Sequence, residues 1–238
     1  MKEHLDILAF GAHPDDVEIG MAGTIATYTK KGMRIGICDL TEADLSSNGT
    51  VETRKMEAEQ AATILGVSTR LNLAFRDRGL SFDQEVKMKE IVDVIRTYRP
   101  TAVFVPYEVD RHPDHGHCAS LVREAVFSAG IRNYHGTLEL PSHRVKRFYY
   151  YFINGFHTPD FVVDISEQFP TKLESLKAYK SQFVQTEHSI ATPLTNGYLE
   201  TIESRERLYG KMVHVDFAEG FKTDNPLVIN KDLLGDIE

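Results

Sequence analysis

The tripeptide His-Pro-Asp occurs twice in the chain, and each copy follows a short apolar run. The first copy begins at His13 within AFGAHPDDVEIG, and the second begins at His112 within DRHPDHGH. Histidine and aspartate are side chains that bind metal ions and transfer protons near neutral pH. The two segments therefore predict one chemical site. Each segment forms a stiff turn at proline, and the two turns supply different side chains to that site.

Metal ligands can be assigned within these segments from chemistry and spacing. His13, Asp16 and His115 supply two imidazoles and one carboxylate. This set suits Zn²⁺ and leaves a fourth coordination position open for water, as in catalytic zinc sites. His13 and Asp16 are three residues apart at a predicted loop-to-helix junction, so both can face one ion. The same ligands also bind Fe²⁺ or Mn²⁺, so the sequence does not fix the metal.

The remaining groups of the two segments can move protons. Asp15 lies between two predicted ligands, where it can accept a proton from an attacking water. His112, held by Asp114, can donate a proton to a leaving group or stabilise negative charge. A metal, a base and a positioned imidazole together predict metal-assisted hydrolysis.

The elements that must position these residues are strands that alternate with helices. The hydrophobic pattern of residues 1–130 predicts strands at 5–11, 33–40, 69–75 and 101–107 and helices at 17–31, 52–65, 83–98 and 116–129. Strands that alternate with helices form right-handed crossovers and a mostly parallel sheet. This part of the chain is therefore predicted to be a Rossmann-type half.

The remainder, residues 131–238, has a mixed pattern. It predicts strands at 146–153 and 161–165 and helices at 167–183 and 198–212. We expect these elements to extend the same sheet and cover the rim of the site. The predicted architecture is one α/β domain over residues 1–238, a Rossmann-like three-layer fold with a mostly parallel central sheet.

The predicted topology brings the two His-Pro-Asp segments together. In a doubly wound sheet the first three strands move outward, and the fourth strand returns to lie beside the first. Ligands bind at this switch point, outside the carboxyl ends of the strands. Because one segment follows the first strand and the other follows the fourth, we expect them to be neighbours in space.

Composition excludes several classes of protein. The chain has 238 residues, 42% of them hydrophobic, and a net charge of −8 with scattered Lys and Arg, so no nucleic-acid face is expected. No run approaches the roughly 18 apolar residues of a membrane span. The N-terminal sequence MKEHLDILAFGAH predicts a strand instead of a signal peptide. Cys38 and Cys118 lie in apolar settings, as expected for buried thiols of a cytoplasmic protein.

The two segments also allow other interpretations. An acidic pair after a strand is often a solvated helix start that complements the helix dipole. A dinucleotide site is disfavoured, because GAHPDD lacks the Gly-x-Gly-x-x-Gly pattern and its carboxylates would repel a pyrophosphate. A metal-dependent phosphoester hydrolase is an alternative, although such sites more often hold two metals. A sugar- or nucleotide-binding module without catalysis is a second alternative.

The segment AHPDDVEIGMAGT, followed by HPDH after a later strand, resembles the LmbE-like, or PIG-L, family of zinc-dependent N-deacetylases. The resemblance spans nearly the whole chain and implies removal of acetyl from an N-acetylglucosaminyl conjugate. Further stretches resemble the bacillithiol biosynthesis branch, which acts on N-acetylglucosaminyl malate: ICDLTEADLSSNGT, RDRGL, INGFH, AYKSQF and AEGF. Relatives in this branch form homo-oligomers, and a hexamer is expected from the resemblance.

The resemblance assigns the same roles that the residue chemistry suggests. It implies that the three ligands named above bind zinc, that Asp15 is the general base, and that His112 is an acid or charge stabiliser oriented by Asp114. In the mycothiol relatives a tyrosine helps to polarise the carbonyl at the position of Asp110. Arg144 resembles an arginine that close relatives bring to the site, and it is predicted to take part in catalysis here.

Substrate contacts are predicted from position and charge. Arg54 opens a helix after the loop that follows the second strand, and Asp77 follows the third strand, so both can reach sugar hydroxyls. The two carboxylates of malate would need cations. The candidates are Arg54, Arg111, Arg144 and Lys180, with Arg111 predicted to bind substrate.

Overall fold

The computed structural model describes residues 4–187 and 189–228, so the last residues of the predicted domain lie outside the described chain. Within it, the strands are β1 (Ile7–Gly11), β2 (Ile35–Thr41), β3 (Thr69–Phe75), β4 (Ala102–Pro106), β5 (Arg147–Tyr151), β6 (Phe161–Asp164) and β7 (Ala218–Lys222). The helices are α1 (Asp16–Lys30), α2 (Val51–Leu65), α3 (Gln84–Tyr98), α4 (Pro113–Ala129), α5 (Phe169–Ala178), α6 (Lys180–Phe183) and α7 (Tyr198–Met212). The predicted alternation of strands and helices over the first 130 residues is confirmed.

The strands form a 7-stranded sheet in the order β3-β2-β1-β4-β5-β7-β6. Strands β1 to β5 pair in parallel, whereas β7 pairs antiparallel with both β5 and β6. Strand β4 lies beside β1, with Ile7 opposite Ala102. The predicted reversal of strand order between the first and fourth strands is therefore confirmed, and the C-terminal strands extend the same sheet.

Helices cover both faces of the sheet, which confirms the three-layer architecture. Helices α1, α2, α5 and α7 share one core with Ile7 and Ala9 of β1. Helices α3 and α4 share the other core with Leu8 and Phe10 of the same strand. Since alternate side chains of a strand point to opposite faces, a strand buried on both sides is a continuous apolar run.

Two features of the C-terminal part differ from the sequence prediction. The predicted helix at 167–183 is interrupted at Tyr179, which has non-helical backbone angles and a fully buried ring. Its hydroxyl donates to Glu18 Oε1 at 3.0 Å, so the residue at the break has a partner that is distant in sequence. Strand β7 was not predicted, because Glu219 and Gly220 interrupt its apolar pattern although both are buried in the fold.

No helix among residues 4–187 and 189–228 is both long and apolar enough to cross a membrane.

Candidate metal centre

A cavity of about 280 Å³ opens at the carboxyl ends of β1 and β4. Its walls come from the loops that follow β1, β2, β3 and β4, together with residues near Ile153 and Leu194. The predicted site residues that line it are His13, Asp15, Asp16, Arg54, Asp77, Arg111, His112 and His115. The topology thus brings together the side chains that sequence reasoning grouped by chemistry.

The two His-Pro-Asp turns are built differently. In the first turn the Asp16 carboxylate accepts the backbone N–H of His13 at 2.8 Å, which closes the loop onto the start of α1. In the second turn His112 is the residue before α4, and its Nδ1 accepts the backbone N–H of Asp114 at 3.3 Å. Pro113 fits the first position of α4 because that position has no helical hydrogen bond to lose.

The predicted ligands face one another across the cavity floor. His13 Nδ1 lies 3.4 Å from Asp16 Oδ2, and His115 Nε2 lies 3.2 Å from Asp16 Oδ1. One nitrogen of each imidazole therefore faces the same carboxylate. All three residues are more than nine-tenths buried.

A second carboxylate stands behind each imidazole. His13 Nε2 lies 3.2 Å from Asp77 Oδ1, and His115 Nδ1 lies 3.0 Å from Asp110 Oδ1. In metal sites the nitrogen that does not bind the ion commonly donates to such a carboxylate, which fixes the tautomer and ring orientation. The donor set therefore fits a divalent metal held by His13, Asp16 and His115.

Among the described residues, two groups have ligand atoms close enough together to hold a metal, and neither of them contains Asp16. The ligand atoms of His13, His112 and His115 lie within 4.8 Å of one another, and so do those of His13, Asp77 and Asp114. The Asp114 carboxylate already has two hydrogen-bond donors from Arg78. It accepts a bond from the backbone N–H at 2.8 Å and a bond from the guanidinium Nη1 at 3.1 Å. These two bonds favour Asp114 as a partner behind His13 over a role as a ligand.

The charges of this cluster are strongly coupled. Burial opposes the charged form of His115, but the carboxylates of Asp16 and Asp110 outweigh it and raise its pKa to about 9. Burial likewise opposes the charged form of His13, but Asp114 and Asp16 raise its pKa well above the usual value. Protonated imidazoles thus balance the carboxylates in the metal-free protein. A divalent cation would replace those protons.

Asp15 occupies a constrained position beside the predicted ligands. Its φ of 109° is rare for a residue with a side chain and stores backbone strain, as is common at functional sites. Burial raises the pKa of its carboxyl to about 7, although the charge of Arg54 acts in the opposite direction. A buried carboxylate that gains a proton near neutrality has the property required of a general base.

Arg54 lines the cavity as predicted, but its guanidinium contacts Pro14 and Asp15 in the loop after β1. It is 3% exposed, its Nη2 lies 3.2 Å from Asp15 Oδ2, and it also donates to the Pro14 carbonyl. The sequence predicted that Arg54 reaches this edge of the sheet. Its contact with Asp15 could be found only from the tertiary structure. These contacts hold the carboxylate in place.

Asp114 contacts His112 through its backbone N–H, and its carboxylate has other partners. That carboxylate is directed to Arg78, to His13 Nε2 at 3.8 Å and to His117 Nδ1 at 3.5 Å. The short turn leaves only the Asp114 backbone N–H facing His112 Nδ1. Because Nδ1 accepts this bond, the neutral ring carries its proton on Nε2. Burial and the charges of His13 and His115 lower the pKa of His112, which favours that neutral form.

Two predicted cations lie outside the cavity. Arg144 precedes β5, so it lies at the amino end of a parallel strand, on the edge of the sheet opposite the site, and it lines a separate cavity with Arg123 and Phe148. The structure therefore does not bring Arg144 to this chain's cavity, contrary to the prediction. Lys180 lines a neighbouring surface cavity with Thr53.

Sequence reasoning missed three residues of the site. Asp110 accepts the backbone N–H of His112 at 2.8 Å and Nδ2 of Asn154 at 2.9 Å, in addition to its contact with His115. Arg78 lines the cavity through the loop after β3. The positions of Asp110, two residues before the second turn, and of Arg78, within the RDRGL stretch, were the available signals. Asn154 lies in the INGFH stretch.

The chain is similar in sequence to a known protein family and to individual deacetylases. The family model described as "PIG-L: GlcNAc-PI de-N-acetylase" matches residues 8–126. A diacetylchitobiose deacetylase of Thermococcus kodakarensis is 34% identical over 229 residues, which cover 91% of this chain and 82% of that protein. A probable N-acetyl-alpha-D-glucosaminyl L-malate deacetylase 2 of Bacillus anthracis is 26% identical, covering 87% of this chain and 94% of its own length.

The fold is also similar to solved structures. The conserved protein TT1542 from Thermus thermophilus has a TM-score of 0.85 and 37% identity to this chain, covering 94% of this chain and 97% of its own. The match in sequence and the match in fold extend over the strands and loops that form the cavity. The chain belongs to the PIG-L family of N-deacetylases.

Proposed function

We propose that the protein is a zinc-dependent hydrolase that removes the acetyl group from an N-acetylglucosamine conjugate. The observation that carries this proposal is the arrangement of His13 and His115. One ring nitrogen of each faces the Asp16 carboxylate, and the other nitrogen faces a second carboxylate, that of Asp77 for His13 and that of Asp110 for His115. The products are acetate and a glucosaminyl conjugate. Water supplies the oxygen and the protons that the two products gain.

His13, Asp16 and His115 are the residues proposed to hold the metal. When bound in such a set, Zn²⁺ lowers the pKa of water and polarises a carbonyl oxygen. Fe²⁺ and Mn²⁺ bind the same donors, so metal analysis of the purified protein decides which ion is native.

Asp15 is proposed to accept a proton from the water that attacks the acetamide carbonyl. Its carboxyl is buried beside the cavity, and the pKa of about 7 places it between its charged and neutral forms at neutral pH. Arg54 keeps this carboxylate directed at the ligand cluster, through the 3.2 Å contact described above.

His112 is proposed to donate a hydrogen bond to the oxygen that becomes negative during the attack. The bond from the Asp114 backbone N–H to Nδ1 leaves the proton on Nε2, so the neutral ring is a donor. Removing a donor of this kind typically costs about 10²- to 10³-fold in turnover. Protonated Asp15, or His112, then gives a proton to the departing amine.

Among N-acetylglucosamine conjugates, the proposed substrate is N-acetylglucosaminyl malate. Arg111 is exposed at the cavity, where it can pair with a carboxylate of an anionic aglycone, and Arg78, whose Nη1 donates to Asp114, adds a second positive charge there. Diacetylchitobiose is the neutral competitor, and it is the substrate named for the relative with 34% identity.

An acetate-release assay with zinc-loaded protein tests the function and the substrate together. Its substrates are N-acetylglucosaminyl malate, diacetylchitobiose and free N-acetylglucosamine, and chelator-treated protein is the blank. Acetate release from at least one substrate that stops on chelation is the expected result. No release from any of the three would overturn the proposal, and phosphate release from a panel of phosphate esters would then support the phosphoester hydrolase.

A substitution at the cavity distinguishes the two conjugates. Arg111→Ala is expected to raise KM for the malate conjugate about tenfold or more, because it removes a charged hydrogen-bond donor, while KM for diacetylchitobiose stays near its original value. Arg123→Ala is the matched control, since this arginine pairs with Asp224 on another surface. Equal effects on both conjugates would overturn the malate proposal alone.

A further inference from the structure

Helix α1, which begins at the predicted ligand Asp16, is broken after its first turn. Met21 has φ −150° and ψ 20°, which are not helical values. In an unbroken helix the N–H of Gly23 would donate to the carbonyl of Ile19. Here each of these two groups has charged side-chain partners from the C-terminal part of the chain.

A group of buried charged residues, hereafter the buried charge cluster, occupies the break: Lys172 on α5, Arg205 and Glu206 on α7, and Glu219 on β7. Lys172 Nζ donates to the Ile19 carbonyl at 2.9 Å, and Arg205 Nη2 donates to the same oxygen at 3.1 Å. On the other side of the break, the Glu219 carboxylate accepts the N–H groups of Gly23 and Thr24 at 2.9 and 2.6 Å.

The cluster is closed by ion pairs of balanced charge. Lys172 Nζ lies 2.6 Å from Glu219 Oε1 and 2.8 Å from Glu206 Oε1, and Arg205 Nη2 lies 2.9 Å from the same Glu206 oxygen. The two cations thus face the carboxyl end of the first turn of α1, and the Glu219 carboxylate faces the amino end of the helical segment after the break. The helix dipole favours both placements. Taking these charges out of water is costly, and apolar replacements of buried ion pairs are often neutral or stabilising. Stability alone therefore does not explain them.

Arg205 also connects the first turn of α1 to the far wall of the cavity. Its Nη1 donates to the carbonyl of Ile153 at 2.8 Å. The next residue, Asn154, donates to the Asp110 carboxylate, which in turn faces Nδ1 of His115. One guanidinium therefore links the element that begins at Asp16 with the chain of contacts that orients His115.

We propose that the buried charge cluster is a positioning device for the metal centre. It holds the first turn of α1 at a fixed distance from the segment of Ile153 and Asn154, so that Asp16 and His115 face the same ion. This inference rests on the proposed function only through the assignment of the ligands. All members of the cluster lie beyond residues 8–126, the part that the family model matches.

The test compares Arg205→Lys with the wild-type protein. Lysine keeps the charge, but its single ammonium cannot reproduce the planar fork that spans the carbonyls of Ile19 and Ile153. Zinc affinity is measured by competition with a chromogenic chelator, before any substrate is added. Loss of groups that orient metal ligands typically weakens metal binding about 10- to 100-fold, and we expect a loss in this range.

Arg96→Lys is the matched control. Arg96 is 2% exposed and donates to the carbonyls of Tyr134 and Ile131 at 2.8 Å, near the end of α4 that is remote from His115. Both variants are expected to lower the melting temperature, whereas only Arg205→Lys should weaken zinc binding. If Arg205→Lys lowers the melting temperature and binds zinc as tightly as the wild type, the positioning role is overturned.

A second variant keeps the test decisive if Arg205→Lys does not fold. Glu219→Gln retains the size of the side chain and removes the charge that holds Lys172 and the start of the second part of α1. We expect at least a tenfold loss of zinc affinity, and an unchanged affinity in the folded variant overturns the proposal. Because the readout needs no substrate, absence of acetate release would count against the proposed function alone.

Discussion

Replacing Asp15 by asparagine should separate catalysis from stability at this site. Asparagine keeps the size of the side chain and tolerates a positive φ better than alanine, so the strained turn can persist. It cannot accept a proton from water. We expect zinc binding to remain and turnover to fall about 10²- to 10⁴-fold, the usual contribution of a general base.

The same substitution should stabilise the metal-free protein above neutral pH. Burial raises the pKa of Asp15 from 3.8 to about 7, so the folded state binds a proton that the unfolded state has already released. One pH unit corresponds to ~1.4 kcal/mol, so the ionised carboxylate costs up to about 4 kcal/mol of folding free energy at pH 8. The cost is absent below pH 4 and grows between pH 4 and pH 7, and the Asn variant lacks it.

Thermal unfolding of chelator-treated protein at pH 5 and pH 8 measures this effect. A difference of 1 kcal/mol shifts the melting temperature of a chain of this size by about 2–4 °C. The Asn variant should therefore melt several degrees above the wild type at pH 8, and by a clearly smaller margin at pH 5. Asp160→Asn, on the surface beside Lys222, is the control and should show no such pH dependence. Equal margins at both pH values, or normal turnover in the zinc-loaded variant, would refute the reasoning.

Further predictions concern the ligands and their partners. His115→Ala should lose both bound zinc and activity, because one of the two imidazoles is removed. A folded variant with one zinc per chain would exclude His115 from the ligand set. Arg54→Lys should lower kcat about tenfold or more and retain zinc, since its contacts hold Asp15 in place. A rise in KM alone would instead support sugar binding by Arg54. Zinc affinity should rise from pH 6 to pH 9, roughly tenfold per pH unit for the proton displaced from His115, whose pKa is about 9. A flat profile, measured by chelator competition, would contradict this.

The strand and helix pattern determined where the site had to lie. Apolar runs of strand length that alternate with amphipathic helices allow few arrangements, because parallel strands need right-handed crossovers. The reversal of strand order then placed the loops after β1 and β4 side by side. His13, Asp16 and His115 could therefore be grouped from local sequence alone.

The directions of the supporting side chains could not be obtained in this way. Asp114 was predicted to orient His112, and it contacts that ring through its backbone N–H, whereas its carboxylate is directed to Arg78 and His13. Arg144 was predicted in the cavity, although it precedes a parallel strand and so lies at the opposite edge of the sheet. Each outcome depends on turn geometry and on partners that are distant in sequence.

The sequence by itself determined the class of fold, the edge of the sheet that carries the site, and the types of side chain that meet there, because these depend on local periodicity and on the order of strands. Only the tertiary structure decided which groups contact those side chains from behind. Asp110 acquires its role from Asn154 and His115, and the break in α1 is held by charges on α5, α7 and β7. The physical reason is that a buried polar group must find a partner, and the folded chain supplies that partner from wherever packing brings one within hydrogen-bond distance.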